Sequence, residues 1–485
     1  MSSTSETAGS STPAAPLRQI EDLPGPRGWP LFGNLPQVRM RRIHQDMEAW
    51  TRKCGPFFRV RLGRIKLLVV ADHRAINAIL RDRPEGFRRG SRLYEVVTEM
   101  GSTPGLFVAE GEAWRNQRRM VMASFAAGNV RAYFPALRRV ALRLRARWQK
   151  AALADAPIDL QADLKRYTVD IIAGLAFGSE VNTLDSGEDV IQHHLDIVLA
   201  GIFRRAMSPV NYWRWFKLPA DRRLERSNAV LSAAIDAFVT KARARMADNP
   251  DLREHPNNLL EAMIAAADSG DAGVDDRDVV SNVSTMLLAG EDTTANTLAW
   301  LIYLLHRNPR AWRLAKEEVA RVAPDPANLT LEQIEALTYV DACANEAMRL
   351  KPVAPFVGLE ALRDTTVADI HVPARTTVWC VLRHDSLDEG YCPNPGAFEP
   401  ERWLGDGAAP ASTAALRRVT MPFGSGPRLC PGRYLALLEI KLAMATLLGC
   451  FDIKSLGAPG GGEAREIMSF TMNPVGLRMR LAQGA

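Results

Sequence analysis

Cys430 stands in the run Phe423-Gly-Ser-Gly-Pro-Arg-Leu-Cys-Pro-Gly432, and apolar residues at helical spacing follow it (Leu435, Leu438, Leu442, Ala445, Leu448). A thiol in a glycine-rich loop at a helix start is suited to ionise. Loop N–H groups and the helix dipole favour the thiolate, and Arg428 adds a positive charge two residues away. Such a sulfur is reactive; a buried structural cysteine at a turn is the plainer alternative. A second group with chemistry in it is Ala289-Gly-Glu-Asp-Thr-Thr294, in the middle of a long apolar helical pattern. Asp292 and Thr293 pair a carboxyl with a hydroxyl, which suits proton transfer, with a buried ion pair and a back-bonded helix hydroxyl as the structural alternatives. Thr294 is a second hydroxyl, ranked below Thr293. Gly290 costs about 1 kcal/mol relative to alanine in mid-helix, so it needs a reason, and close helix packing is one. Glu346 and Arg349 lie one turn apart on one helix face and are placed to pair.

The elements that must position these residues are mostly helical. From Asp276 to Arg307 apolar residues recur at helical spacing without proline until Asn308-Pro309, a rod of about 48 Å, long enough to cross a whole domain. Asp268–Asp278 is an acidic loop that supplies helix caps. Helices are also predicted from Ala75, over Gly111–Met122, Ala127–Leu153, Leu160–Gly178 and Asp341–Leu350, with 90–107 a loop holding one short helix. Gly55–Val69 reads as a hairpin turning at Gly63 and Arg64, Thr365–Val381 alternates like strand, and Ile467–Leu481 reads as a final hairpin after the Gly457–Gly462 turn. Met207–Pro219 is aromatic and basic (Tyr212, Trp213, Trp215, Phe216), either packed under a long connection or a mobile lid.

The composition bounds the function class. Of 485 residues 47% are apolar, enough for a sizeable core. The six cysteines form no C-x-x-C pair, which points to a reducing compartment without disulfides. No stretch reaches the eighteen or so apolar residues of a membrane span. The first twenty residues are rich in Ser, Thr, Ala and Pro and lack the pattern of a signal peptide, so 1–22 is expected to be a disordered tail. The net charge of +6 is not interleaved with stacking aromatics on any recognisable module, so a nucleic-acid partner is not expected.

Phe423, Gly426, Arg428, Cys430 and Gly432 together resemble the proximal haem loop of the cytochromes P450, F-x-x-G-x-R-x-C-x-G. Further signatures of that family stand upstream in order: Trp114 and Arg118 (W-x-x-x-R), Ala289–Thr294 (A-G-x-D-T-T), Glu346 and Arg349 (E-x-x-R), and Phe398–Trp403 (Phe-Glu-Pro-Glu-Arg-Trp). The resemblance runs from about Leu23 to Leu481. It implies one haem domain over 23–485, mostly α with a small β-rich lobe and a long central helix over the haem. It implies haem b with the Cys430 thiolate as iron ligand, a ligand that favours O–O cleavage. Phe423 would shield the sulfur, Gly426 and Gly432 would stand where a Cβ would clash with loop or porphyrin, and Trp114, Arg118 and Arg428 would hold the propionates. Many members carry a further basic residue where this chain has Gly358 and Leu359; Arg363 and His384 are the nearest substitutes. At Gly290 the central helix is expected to open locally and leave room for dioxygen, while Asp292 feeds protons and Thr293 positions them. Glu346, Arg349 and Arg402 resemble the family's structural triad, holding the cysteine loop.

The implied activity is a monooxygenase acting on a lipophilic small molecule, with O2 as cosubstrate and NAD(P)H electrons arriving through a ferredoxin and its reductase, or a flavodoxin-type donor. An acidic donor is expected to dock on a basic face formed by Arg115, Arg118, Arg119, Arg417, Arg418, Arg433 and Lys441, with simple solubility the rival account of that charge. Substrate contacts are expected from Leu106, Phe107, Met286, Leu288, Ala289, Val353, Phe356, Phe470 and Met472. The anchor of membrane-bound members is not seen ahead of the proline-rich Leu23–Leu35, so a soluble, cytoplasmic, monomeric enzyme of bacterial type is expected. A peroxide-driven haem-thiolate hydroxylase is a second enzyme reading, against which Asp292-Thr293 counts. A non-catalytic haem sensor or carrier is the reading from another class.

Overall fold

The central helix runs from Asp276 to His306, and both ends follow from local chemistry. Asp275 caps it by accepting from the Arg277 and Asp278 N–H groups, and Asp278 reciprocates in a capping box. At the far end Asn308-Pro309 starts a new helix. The computed structural model describes residues 16–125, 127–178, 181–186, 190–270, 273–405 and 413–484. Helices predominate and the strands form small sheets, as the sequence implies.

Leu298, Trp300, Leu301 and Ile302 of the central helix are wholly buried, so it is a core element rather than a surface one. It packs against the helices Leu160–Phe177 and Thr338–Leu350. The helix Arg433–Cys450, which follows the cysteine loop, closes the core on another side. A helix expected over Ala127–Leu153 is broken in two, Ala127–Ala132 and Phe134–Leu153, with Pro135 in the first turn of the second.

The largest sheet has five strands in the order Phe57–Leu62, Ile65–Val70, Thr377–Val381, Phe356–Ala361, Phe87–Arg89. Its first pair is the expected hairpin, with Leu62 opposite Ile65. Ile65–Val70 and Thr377–Val381 run parallel; the other pairs are antiparallel. The final hairpin is shorter than expected: Glu466–Met468 pairs with Met472–Pro474, while Arg478–Gln483 leaves to join Phe451–Gly457 and Ile158–Asp159. Structure also begins ahead of Leu23. Arg18 bridges to Ile370 and pairs with Asp369, Ile20–Asp22 forms a turn, and Ile20 is buried; residues 1–15 of the expected tail lie outside the described residues. Among the described residues no helix is long and apolar enough to cross a membrane.

Candidate active site

The cysteine loop is a folded turn held by its own backbone and by its neighbours. Cys430 N–H donates to the Phe423 carbonyl at 3.0 Å, and Gly426–Arg428 makes one turn of 3-10 helix. Gly426 has φ +71°, and a Cβ there would lie 2.6 Å from the Leu80 carbonyl oxygen, so glycine is required on both counts. Gly432 differs from expectation. Its φ is −83°, and a Cβ would meet only Phe125, at 4.0 Å, so the loop itself does not demand glycine there. The Ser425 hydroxyl ties the loop to the helix His73–Arg81 by donating to Asn77 Oδ1 at 2.8 Å.

Cys430 is solvent-accessible, yet protein surrounds it closely enough that burial pushes its thiol up. The Gly432 N–H and the charges of Arg118 and Arg433 oppose that shift without overcoming it. The loop alone does not make the sulfur a thiolate. An iron cation at the sulfur would do so outright.

Arg428 of the same loop belongs to a cluster short of negative charge. Arg83, Arg89 and Arg428 gather around one carboxylate, Glu110: Arg428 pairs with it directly, Arg83 approaches at 3.8 Å, and the Arg89 backbone N–H donates to it at 2.8 Å. Arg89 Nε donates to the Phe107 carbonyl at 2.7 Å, with its guanidinium 3.6 Å from the Phe107 ring centre. Arg428 lies 4.7 Å from the Trp114 ring centre. Burial, with the neighbouring Arg83 charge, pushes Arg428 down to about 10, and burial pushes Arg89 down strongly. Arg428 Nε and both Arg83 Nε and Nη2 are buried without a hydrogen-bond partner among the described residues. Buried cations with orphaned donors are costly unless an anion joins them. Three guanidiniums and one carboxylate leave two charges uncompensated, the number carried by the two carboxylates of a haem. The donor set therefore fits that group, with Cys430 to hold the metal and Trp114, Arg428 and Arg118 where the sequence places them. Arg118 itself donates to the Leu429 carbonyl at 2.7 Å. Arg83 and Arg89 escaped the sequence reading, since they sit in no motif. Arg363 is not the missing donor, because it pairs with Asp82 at the surface at 2.9 Å; His384 stands 3.9 Å from Asp385.

On the central helix, Ala289 is exposed in the middle of an otherwise buried element, because it faces a cavity of about 500 Å³. The cavity ends on Ala289 and Thr293 and is walled by Phe107, Leu288 and Phe470, with Phe107 and Phe470 rings 5.8 Å apart. Those four wall residues from the expected contact set do line it. Leu106, Met286, Val353, Phe356 and Met472 do not: Leu106, Met286 and Met472 are core, and Phe356 stacks on Trp379 at 5.5 Å. The helix Pro219–Asp248 contributes Asn228, Leu231, Ser232 and Ile235, which look in sequence like the core face of any amphipathic helix. Ser281, Ser284 and Thr285 add hydroxyls, and Asp236, Asp276 and Arg277 add charge, to a largely apolar lining. The aromatic segment is not part of the cavity wall. Trp213 is buried on Glu99 at 2.7 Å, while Trp215 and Phe216 face solvent.

Gly290 is explained by packing. A Cβ there would lie 2.5 Å from Ile172 Cδ1, so glycine lets the two helices approach, and the central helix is continuous through 289–294 rather than opened. Thr293 Oγ1 donates to the Ala289 carbonyl at 2.7 Å, at the cavity floor. Asp292 points the other way and is buried. Its carboxylate accepts from Asn296 at 2.9 Å and from the Thr471 hydroxyl, and Lys165 Nζ lies 3.1 Å away. Lys165 also holds Asp196, whose side chain is 47% exposed, and stands 3.6 Å from Glu291. Glu291 is fully buried with neither oxygen hydrogen-bonded among the described residues, and burial pushes it well above the usual carboxyl range.

Glu346 and Arg349 form a fully buried bidentate pair, 2.7 and 2.8 Å. Arg349 also donates to the carbonyls of Ser386, Pro395 and Ala397, and Glu346 accepts from Trp403 Nε1 at 2.9 Å and Glu399 N–H at 3.0 Å. Arg402 reaches Glu346 at 3.5 Å and pairs with Glu399 at 2.6 Å. The three residues are thus brought together, and they brace 386–403 directly, with Trp403 a fourth member.

Outside the cysteine loop, a groove of about 650 Å³ is framed by Arg74, Arg81 and Arg418 with Asn77 and Tyr391. Of the basic face read from sequence, Arg418 borders this groove, Arg115 is engaged by Glu85 at 2.6 Å, and Lys441 donates to the Glu335 carbonyl.

Comparison with known proteins agrees with this geometry. The family model described as Cytochrome P450 matches residues 23–479. Cyclooctat-9-en-7-ol 5-monooxygenase of Streptomyces melanosporofaciens is 29% identical over 393 residues, 81% of each chain. Cytochrome P450 3A29 of Sus scrofa is 26% identical over 441 residues, 89% of this chain and 85% of that one. A self-sufficient cytochrome P450 monooxygenase of Oidiodendron maius is 29% identical over 447 residues, 89% of this chain; the match spans only 39% of that longer protein.

Proposed function

The chain belongs to the cytochrome P450 family and is a cytochrome P450 monooxygenase, and from that premise we propose that it oxidises a lipophilic small molecule with electrons from a separate ferredoxin or flavodoxin-type donor. The observation that carries this reading is the largely apolar cavity ending on Thr293 and Ala289. The overall balance is RH + O2 + NAD(P)H + H⁺ → ROH + H2O + NAD(P)⁺.

When bound, haem held by Cys430 supplies the dioxygen and electron chemistry. The protein's own side chains do the rest. Arg83, Arg89, Arg428 and Trp114 would hold the carboxylates of the group, and the cavity wall excludes water and orients the substrate. Thr293 holds a proton at Oγ1 at the cavity floor. Asp292, linked through Lys165 to Asp196 at the surface, replenishes it by turning its carboxyl from Thr471 and Asn296 toward the cavity side of the helix. The wall hydroxyls of Ser281, Ser284 and Thr285 accommodate a polar substituent on an apolar skeleton.

The groove of Arg74, Arg81 and Arg418 is the docking site for an acidic donor. Its support is proximity: Asn77 of the same helix is hydrogen-bonded to the cysteine loop through Ser425. The same reading takes the enzyme as a soluble cytoplasmic monomer of bacterial type.

A library screen for spin-state shifts, followed by turnover with NAD(P)H and a surrogate ferredoxin system, tests the proposal. Lipophilic compounds should shift the spin state and yield products carrying one added oxygen, with coupling falling in Thr293→Ala. Undiminished coupling in Thr293→Ala would remove the proton role of that hydroxyl. Binding confined to polar compounds would remove the substrate class.

A further inference from the structure

The tip of the hairpin Glu466–Pro474 is three residues long, Ser469-Phe470-Thr471, and its two adjacent side chains face two different compartments. Phe470 stands in the cavity wall against Phe107. Thr471 is buried, and its hydroxyl donates to Asp292 Oδ2 on the far side of the central helix. The tip has little freedom of its own. Ser469 N–H donates to the Thr471 carbonyl at 3.0 Å, Met472 N–H to the Val353 carbonyl at 2.8 Å, and Trp300 Nε1 to the Met472 carbonyl at 3.3 Å. Asn296 completes the link, because its amide donates to Asp292 Oδ1 at 2.9 Å and to Thr471 Oγ1 at 3.2 Å.

We propose that Thr471 is a positioning residue for Asp292, and that it couples the cavity wall at Phe470 to the carboxylate beside Thr293. The inference rests on the reading of Asp292 as a proton carrier. The physical argument concerns orientation. Asn296 holds the Asp292 carboxylate from one turn further along the same helix, while Thr471 and Lys165 hold it from two other elements, so its direction is set in part by donors outside its own helix. Of the three, only Thr471 is covalently adjacent to a residue that touches the cavity. A guest pressing on Phe470 displaces the rigid turn as a unit and changes the Thr471 contact, whereas Asn296 and Lys165 hold their places on the helices that carry them. The hairpin thereby makes the state of the carboxylate depend on whether the cavity is filled.

The test uses the holoenzyme with NADPH, a surrogate ferredoxin and its reductase, and dodecanoic acid as the cavity-filling probe. It reads the share of NADPH electrons recovered as hydrogen peroxide. Two electrons and two protons per O2 give either H2O2 or, when both protons reach the same oxygen atom, ROH and one H2O; water alone takes two further electrons and two further protons. Thr471→Val, which keeps the shape and removes the donor, should raise that share about fivefold, the worth of one lost hydrogen bond at the lower, ordinary end of the range. Thr471→Ser, which keeps the donor, should stay within about twofold of the wild type. In an Asp292→Asn background Thr471→Val should add nothing further. A double-mutant cycle on the urea unfolding midpoint, which needs no turnover, should show the two substitutions to be non-additive.

A Thr471→Val enzyme with the wild-type peroxide share would overturn the inference. So would Thr471→Ser behaving like Thr471→Val, or additive effects with Asp292→Asn. If instead Asp292→Asn itself leaves the peroxide share unchanged, it is the proton role of Asp292 that fails.

Discussion

Two buried clusters of arginine and glutamate in this protein look alike by composition and differ in satisfaction. Each of the five Arg349 N–H groups has an acceptor: two bonds join it to Glu346, and three more run to backbone carbonyls; of the arginines beside this pair only Arg402 leaves a buried nitrogen, Nε, without a hydrogen bond among the described residues. Around Glu110 the Arg83 and Arg428 guanidiniums share one carboxylate, with the buried Arg89 charge beside them, and three nitrogens of Arg83 and Arg428 are left without hydrogen bonds among the described residues. The first arrangement is complete within the chain and stabilises it. The second is complete only with an added dianion, so it is a binding seat that the empty protein bears at a cost. Residue type does not separate scaffold from site here; the hydrogen-bond count does.

The sharpest way to break this contrast is to remove one arginine from each cluster. Arg349→Leu strands Glu346 in the core, and we expect a loss of about 3–5 kcal/mol in unfolding free energy with or without haem, measured by urea denaturation. Arg428→Leu should act with opposite signs in the two states. The apo-protein should be as stable as the wild type or more so, while haem affinity, measured by transfer to apomyoglobin, should fall about ten- to a hundredfold. Arg89→Leu should behave the same way. A destabilised apo-protein in either variant would place the Glu110 cluster with the scaffold.

Gly290→Ala should cost about 1–3 kcal/mol through collision with Ile172, less the roughly 1 kcal/mol gained in helix propensity, and Ile172→Val should restore part of it. Smaller still is the pH effect at Glu291. Burial raises this carboxyl, so the folded state holds its proton more tightly than the unfolded one. The stability this contributes is full below the ordinary glutamate range and is lost as pH rises toward the raised value. Glu291→Gln should therefore leave the melting temperature unchanged in acid and raise it at alkaline pH. A uniform shift at all pH values would contradict the assignment.

Much of this was legible in the sequence, and the failures share a cause. The central helix, the hairpin at Gly63 and the cysteine turn are local, written in periodicity, caps and glycine placement. Phe470 was found because its segment lies in a family pattern, and Glu346 and Arg349 because three residues on one helix turn fix their geometry. Arg83, Arg89 and the wall helix Pro219–Asp248 were not found, because a buried arginine or an apolar helix face looks the same whether it meets protein or a ligand. Met472 and Val353 failed for the converse reason: apolar residues next to a site were core. The fate of Asp292 depended on Thr471, 179 residues away, which no spacing rule reaches.

The central claim is that Cys430 and the arginines gathered around Glu110 seat a haem whose iron the sulfur ligates. The most direct measurement is the absorption spectrum of the reduced carbon monoxide complex of the purified protein. The strongly red-shifted Soret band of a thiolate-ligated haem is expected in the wild type and should be lost in Cys430→Ser. A band at the position typical of histidine ligation, or one that survives Cys430→Ser, would contradict the account.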